Sequence, residues 1–340
     1  MRKEATIEEW KKLYEVATRI RELKPWESLW DMDTIGVQTS ENPEETVFYS
    51  ILGRGGDCYG IVVYEGYDAF NSFLMLTMQD QMNLSMEHVM YNQENLTCYW
   101  GDREELSNKQ RQVIKELGYK YRGKDNWLYF VSYEPGYWPF NMDQDEVVRM
   151  TEHLINLEIA FTHYKKTGIN IDFDNGNMFS AIYSEDEKTW HYEEKPLPFD
   201  YYIFKEILIE NEELVEELRK APKTEITLEA DARSMGEALK DKKYDRPIIP
   251  VISLLADSDT GAMITFGLSE PDENALVKLA NSVIEFILEV GAPKEIRVSN
   301  VLVEAALDHI CKICSIELRL MRHLVGIDLF WFSMKQHRGG

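Results

Sequence analysis

The sequence predicts an α+β N-terminal domain followed by a layered α/β C-terminal domain, and three observations predict it. Between residues 248 and 321 two apolar runs flank an Asp/Gly turn, and helix, strand, helix and strand then alternate. That is a β-hairpin feeding βα units, the order of a sheet with helices packed on it. The first half carries amphipathic helices and hairpin-like runs without that alternation. Between the halves, Glu194-Lys195-Pro196-Leu197-Pro198 interrupts the pattern with two prolines and reads as the linker. The expected domains are therefore 1–195 and 199–340.

Thr6 and Glu9 form a capping box, and Trp10, Leu13, Tyr14, Ala17, Ile20 and Leu23 follow at helical spacing until Lys24-Pro25. Thr46–Leu52 and Cys58–Tyr64 are strand-like runs around Gly53-Arg54-Gly55-Gly56-Asp57. No Gly-Lys-Ser/Thr ending follows those glycines, and a strand stands where a phosphate loop needs a helix, so they read as a hairpin turn. A helix is expected over 66–79. Ser107 and Gln110 open another helix, which Gly118 ends, and a strand is expected over 127–132. Asp143 caps a long helix through about Lys166. A second hairpin is expected to join 170–173 to 178–183 through Asp174-Asn175-Gly176, with 189–193 adding a strand. Asp172 and Asp174 do not fall at the first, third and fifth positions of a calcium loop. Beyond the linker the expectation is strand 201–209, helix 211–220 capped by Asn211, and strand 224–230.

In the last region Ile248–Ala256 and Ala262–Leu268 are the hairpin strands. A helix runs to Val290, and Gly291-Ala292-Pro293 breaks it. Strand 295–298, a further helix and strand 316–321 complete the order.

Charged residues at 29% and hydrophobic ones at 44% are globular values that argue against disorder. With 37 basic and 60 acidic residues the formal net charge is −23, which repels phosphate backbones and anionic membranes, so nucleic acid is a disfavoured partner. Four cysteines (Cys58, Cys98, Cys311, Cys314) are too few and too uneven for a secreted disulfide scaffold. No run approaches ~18 consecutive apolar residues, and the first residues lead into an amphipathic helix, so a soluble cytoplasmic protein is expected.

Candidate chemistry is sparse, and no cofactor is expected. Cys311-Lys312-Ile313-Cys314 has the spacing of a redox pair or half a zinc site. It closes a helix where a redox pair opens one, and two further ligands at usable spacing are missing, so buried helix-face cysteines are the plainer reading. Asp257 and Asp259 at the hairpin turn, with Glu304, are the residues that could hold a divalent cation, although Asp is also a favoured turn residue. Tyr137 and Trp138, in the stiff loop Tyr133–Phe140, are the candidates for contact with a partner protein. The histidines lack ligand spacing, and neither a G-x-S-x-G elbow nor a G-x-G-x-x-G fingerprint occurs.

Two blocks resemble an uncharacterised family of bacterial proteins, mostly Gram-positive, built from two domains of unknown function. The first is Trp10, Leu13-Tyr14 and Pro25-Trp26 with Glu45–Gly53 and Tyr59-Gly60-Ile61; the second is Pro250–Gly261 with Gly291–Val298. That resemblance implies no activity. The order hairpin, helix, Gly-x-Pro, strand, helix also looks like the ribonuclease-H-like core of integrases and transposases. This second resemblance implies an essential Asp on the strand before the hairpin and an Asp-Asn pair after the later strand. Ser299-Asn300 stands at the later position, and Asp245 is the nearest upstream acid. The expected function is a non-enzymatic protein-binding module. The alternative is a degenerate metal-dependent hydrolase or nuclease of the ribonuclease-H-like type.

Overall fold

The computed structural model describes residues 2–82, 84–198 and 206–338. By its internal contacts the chain forms two compact units. Unit 1 comprises Met1–Leu74, Gln93–Glu134 and Pro139–Tyr201; unit 2 comprises Met75–Asn92, Pro135–Trp138 and Tyr202–Gly340. Two excursions, 75–92 and 135–138, thus leave the first half of the sequence to pack with the second. Unit 1 is α+β and unit 2 is α/β.

Helix α1 (Ile7–Leu23) opens unit 1 with the Thr6/Glu9 capping box and ends at Lys24 in the left-handed conformation. Its sheet contains β1 (Ile35–Gln38), β2 (Val47–Leu52), β3 (Tyr59–Glu65), β4 (Asn95–Gly101), β5 (Trp127–Tyr133), β6 (Asn177–Ser184) and β7 (Thr189–Pro196). The order is β5-β4-β3-β2-β1-β6-β7, with β1 and β6 parallel and every other pair antiparallel. α1 and the long α6 (Gln144–Thr167) share a core with one face, where Tyr49, Ile51, Ile61 and Val63 point. Phe48, Val62 and Tyr64 point to the other face, against Phe70 and Phe73 of α2 (Gly66–Thr77). Burial on both faces is why β2 and β3 read as continuous apolar runs. α5 (Asn108–Glu116) carries the expected Ser107/Gln110 box.

Two expectations in this unit are corrected, and two strands are additional. β1 and β4 were not anticipated. Residues 170–173 form no hairpin strand: Phe173–Asn175 is a single 3-10 turn closed by Gly176 in the left-handed region, and β6 pairs with β7 on one side and β1 on the other. The backbone bonds of that turn remain local, so a strand distant in sequence takes the free edge of β6. Glu194–Pro196 is not linker but the end of β7, an edge strand, where a proline removes no needed donor.

Unit 2 holds α3 (Gln79–Met82), α4 (Met86–Tyr91), α7 (Glu212–Lys220), α8 (Ala275–Glu289), α9 (Val301–Cys314) and α10 (Val325–Arg338). Its sheet contains β8 (Thr227–Ser234), β9 (Val251–Asp257), β10 (Met263–Ser269), β11 (Glu295–Val298) and β12 (Glu317–Leu320) in the order β10-β9-β8-β11-β12. β8, β9 and β10 are antiparallel neighbours, while β8, β11 and β12 run parallel. α7, α8 and α9 bury Leu218, Leu279, Val283, Val303 and Leu307 with Leu228, Ala230 and Leu255 of the sheet. Leu324 and Ile327, at the start of α10, share a core with Ile252, Leu254 and Ala256 on the opposite face. The expected hairpin, βα order and Asn211 cap are all present. α4 and α10 were not anticipated, and β8 begins and ends later than the expected 224–230. The strand expected at 201–209 falls partly outside the described residues, and 206–209 forms no strand. Among the described residues, no helix is long and apolar enough to cross a membrane.

Candidate functional site

Alternation along β8 decides what this sheet presents. Leu228, Ala230 and Ala232 enter the apolar core, so Glu229, Asp231 and Arg233 take the face on which α10 lies. β11 pairs in parallel with Glu229 opposite Arg297 and Ala230 opposite Val298. The next residues, Ser299 and Asn300, therefore meet Asp231 just past the carboxyl end of β11.

Glu229 is buried, and its Oε2 accepts from the backbone N–H groups of Gly326 (2.8 Å) and Ile327 (3.2 Å), while Oε1 accepts from the Ser258 hydroxyl (3.3 Å). A carboxylate is thus held by the first turn of α10, where unpaired N–H groups and the helix dipole favour negative charge. A side chain at Gly326 would crowd it, since an added Cβ would come within 3.3 Å of Oε2.

Asp231 is 0% exposed. Its Oδ1 accepts from Ser299 Oγ (2.7 Å), the Ala232 N–H (2.9 Å) and Asn300 Nδ2 (3.3 Å). Its Oδ2 faces Arg233 Nε as an ion pair that is off-line for a hydrogen bond. The same guanidinium reaches Asp328 Oδ1 on α10 through Nη2 at 3.2 Å, and Asp328 is 3.4 Å from His323 Nδ1. Burial raises the Asp231 carboxyl above the ordinary range, outweighing the lowering by Arg233 and the hydrogen bonds from Ser299 and Ala232. Arg233, Ser299, Asn300, Arg322, His323 and Asp328 line a cavity of about 420 Å³.

The residues singled out from sequence do not join this cluster. Asp257 Oδ1 accepts from the Thr260 hydroxyl and N–H (both 2.7 Å) and from the Asp259 N–H (3.1 Å), which holds its carboxyl below the usual range. It lies opposite Leu228, three positions and roughly 10 Å along the strand from Asp231. Glu304 is in the first turn of α9. Cys311 and Cys314 are free thiols in the apolar core, and burial pushes Cys311 up to about 12. Among the described residues no group of three or more His, Cys, Asp or Glu side chains is placed to hold a metal ion. Tyr137 bridges to Ile248 with its ring under the Arg246 guanidinium at 3.9 Å; Trp138 donates its N–H to the Pro247 carbonyl and packs beside Tyr91. Asp245 lies in an irregular segment, and the acid on the strand before the hairpin is Asp231 instead. The alternation Leu228, Ala230, Ala232 carries the signal, because following it to Ser234 puts Asp231 in mid-strand.

Among solved structures, one similar chain comes from the structure titled "CryoEM structure of simian T-cell lymphotropic virus intasome in complex with PP2A regulatory subunit B56 gamma". It has 14% identity and a TM-score of 0.22, over 31% of this chain and 37% of that one. The chain thus spans little more than a third of the length of that structure's chain. No curated protein matches. Residues 214–335 match the family model described as Domain of unknown function (DUF6930). Residues 10–181, half of the chain, match a second model, and the chain belongs to that family, Domain of unknown function (DUF7309).

Proposed function

We propose that the chain is a non-enzymatic protein-binding module whose docking surface is the outer face of α10 with the adjoining edge strand β10. The observation that carries this reading is a set of large apolar side chains left in solvent. Phe266 is 54% exposed, Leu329 59% and Phe332 61%. Phe266 and Leu268 pair with Leu254 and Ile252, so they occupy the face that α10 covers, and Phe266 meets Phe330 of α10 at 6.0 Å. Val325, Leu329 and Phe332 recur every three to four residues and form one stripe along the helix. Exposed apolar surface of this kind marks interaction sites. With a net charge of −23, the fitting partner presents an apolar segment flanked by basic residues.

One observation favours the second reading, a ribonuclease-H-like hydrolase. The order of hairpin, α8, Gly291-Ala292-Pro293, β11 and α9 is the order on which that resemblance rests, and Asp231 and Asn300 stand at two of the positions it marks. The donor set does not fit the chemistry. Two-metal hydrolysis needs carboxylates free to bridge cations. Ser299 replaces the second acid, and Arg233 already supplies positive charge between Asp231 and Asp328. This supports an unreactive site and, with it, the binding role.

The test is affinity purification of the tagged full chain from its native host beside a Leu329→Glu/Phe332→Glu variant. A partner recovered in near-stoichiometric amount with the native chain, and at least tenfold depleted with the variant, is the expected result. Equal recovery by both chains, or no partner with either, overturns the reading. A rise in melting temperature with Mg²⁺ or Mn²⁺ that Asp231→Asn abolishes would favour the hydrolase instead.

A further inference from the structure

A second cavity in unit 2, of about 510 Å³, is bounded by α4, Pro135-Gly136 and the first turns of α8 and α9. It shares His88, Ala232 and Asn300 with the charged cavity beside Asp328, but no residue of α10 lines it. We propose that this cavity is a binding site for a small, uncharged, largely apolar molecule whose one polar end is read by His88 and its neighbours. Its volume falls in the range of pockets that enclose drug-sized ligands, and such pockets are mostly apolar with a few polar groups that fix orientation.

The walls have that character. Met75, Ile249, Val251, Leu276, Leu302 and Val303 supply apolar surface. The acids at the rim carry their own counter-charges: Glu270 accepts from Lys243 Nζ (2.7 Å) and Tyr244 OH (2.9 Å), Asp272 lies 2.9 Å from Lys243 Nζ, and Glu273 lies 2.7 Å from Lys278 Nζ. Neither a cation nor an anion gains an unmatched partner there, and either would lose its hydration.

Polar capacity is nonetheless left over. Among the described residues the imidazole nitrogens of His88 meet no hydrogen-bond partner, and Ser269, 2% exposed, has a buried hydroxyl without one. Buried polar groups are nearly always satisfied, so an orphan beside a cavity points to something that enters it. Loss of solvent lowers the His88 pKa to about 4, so at neutral pH the ring offers one donor and one acceptor and no charge. The site also lies at the carboxyl ends of β8 and β11, through Ala232 and Asn300, where open α/β sheets hold their ligands.

The experiment titrates the full chain, labelled with ¹³C at the methionine methyl groups, with the neutral dye Nile red. The expected result is saturable one-to-one binding with blue-shifted emission, a saturating shift of the Met75 methyl, and unmoved methyls at Met263 and Met334 beside the α10 face. Met75→Trp and Leu276→Trp, which fill the cavity from two walls, should each weaken binding at least tenfold. Absence of saturable binding, or shifts at Met263 and Met334 with Met75 unmoved, overturns the proposal. Neither outcome bears on the protein partner, whose variants lie on α10. Should one filled variant not fold, the other and the Met75 methyl still decide.

Discussion

The two sheets of this chain bury different things. In unit 1, β2 and β3 turn apolar side chains to both faces, and the buried carboxylate Glu146 sits at a helix terminus, where it completes the α6 capping box with Asp143 and pairs with Arg2. In unit 2 one face of β8 is equally apolar, but the other carries Glu229, Asp231 and Arg233 in mid-sheet. Charge buried in a sheet costs desolvation that good pairing only partly returns. Unit 1 thus confines ionised groups to its margins, whereas unit 2 carries them on its central strand, near two cavities. Even within β8 the two acids differ. Glu229 is satisfied by a helix terminus, and Asp231 remains raised despite its partners.

The sharpest test of that distinction is Glu229→Ala. It strips two backbone donors of α10 of a charged acceptor, and at about 1.5–3 kcal/mol per charge-assisted bond the loss should be roughly 3–6 kcal/mol. Urea denaturation of the unit 2 transition measures it. Glu229→Gln, which keeps an acceptor, should lose less than half as much. Equal losses would mean that the negative charge is irrelevant at this helix terminus.

Much of this arrangement was legible in the residues, and the missing parts share a cause. Capping boxes at Thr6 and Ser107, the Asp143 cap and the Asp257–Gly261 turn are local chemistry, and all appear where the sequence places them. β1 is four residues long and lies between β2, nearby in sequence, and β6, some 140 positions away by register from Ile35 to Phe179, and so short a run carries little pattern of its own. The buried site failed for a subtler reason. The expected strand ends at Ala230, one residue short of Asp231, so the alternation that sets Glu229, Asp231 and Arg233 on one face is only half visible in it. Ser299 and Asn300 stand at the strand end the sequence marks, but only the fold brings the acid to them.

The next largest effect concerns His88, whose pKa is lowered by burial from 6.5 to about 4. A folded state that binds its proton less readily than the unfolded chain has this contribution in full above pH 6.5 and loses it as pH falls towards 4. Allowing for the partial exposure of the ring, the native chain should lose roughly 2 kcal/mol more than His88→Gln between pH 7 and pH 4. Urea midpoints at both pH values check this. Parallel curves would place the acid sensitivity of unit 2 elsewhere, and would remove the contrast between its neutral cavity and its charged one.

The smallest effect separates charge kept for stability from charge kept for another reason. Asparagine at 231 retains an acceptor for Ser299 and Ala232, and Arg233 retains Asp328. Because the folded carboxyl is raised, the native chain is favoured over Asp231→Asn most below the ordinary carboxylate range, and it loses that advantage as pH rises through the raised pKa. At pH 7 the variant should equal or exceed the native chain by about 1 kcal/mol, as replacement of buried charge often does. The melting-temperature difference, followed from pH 3 to pH 7, reads the sign directly. A native chain more stable at pH 7, by a margin that widens with pH, would mean that Arg233 holds the ionised acid better than water does, and Asp231 would join Glu229 as part of the scaffold. The expected sign leaves a buried ion pair that the fold does not require, beside the carboxyl end of β11, where such sheets keep their ligands.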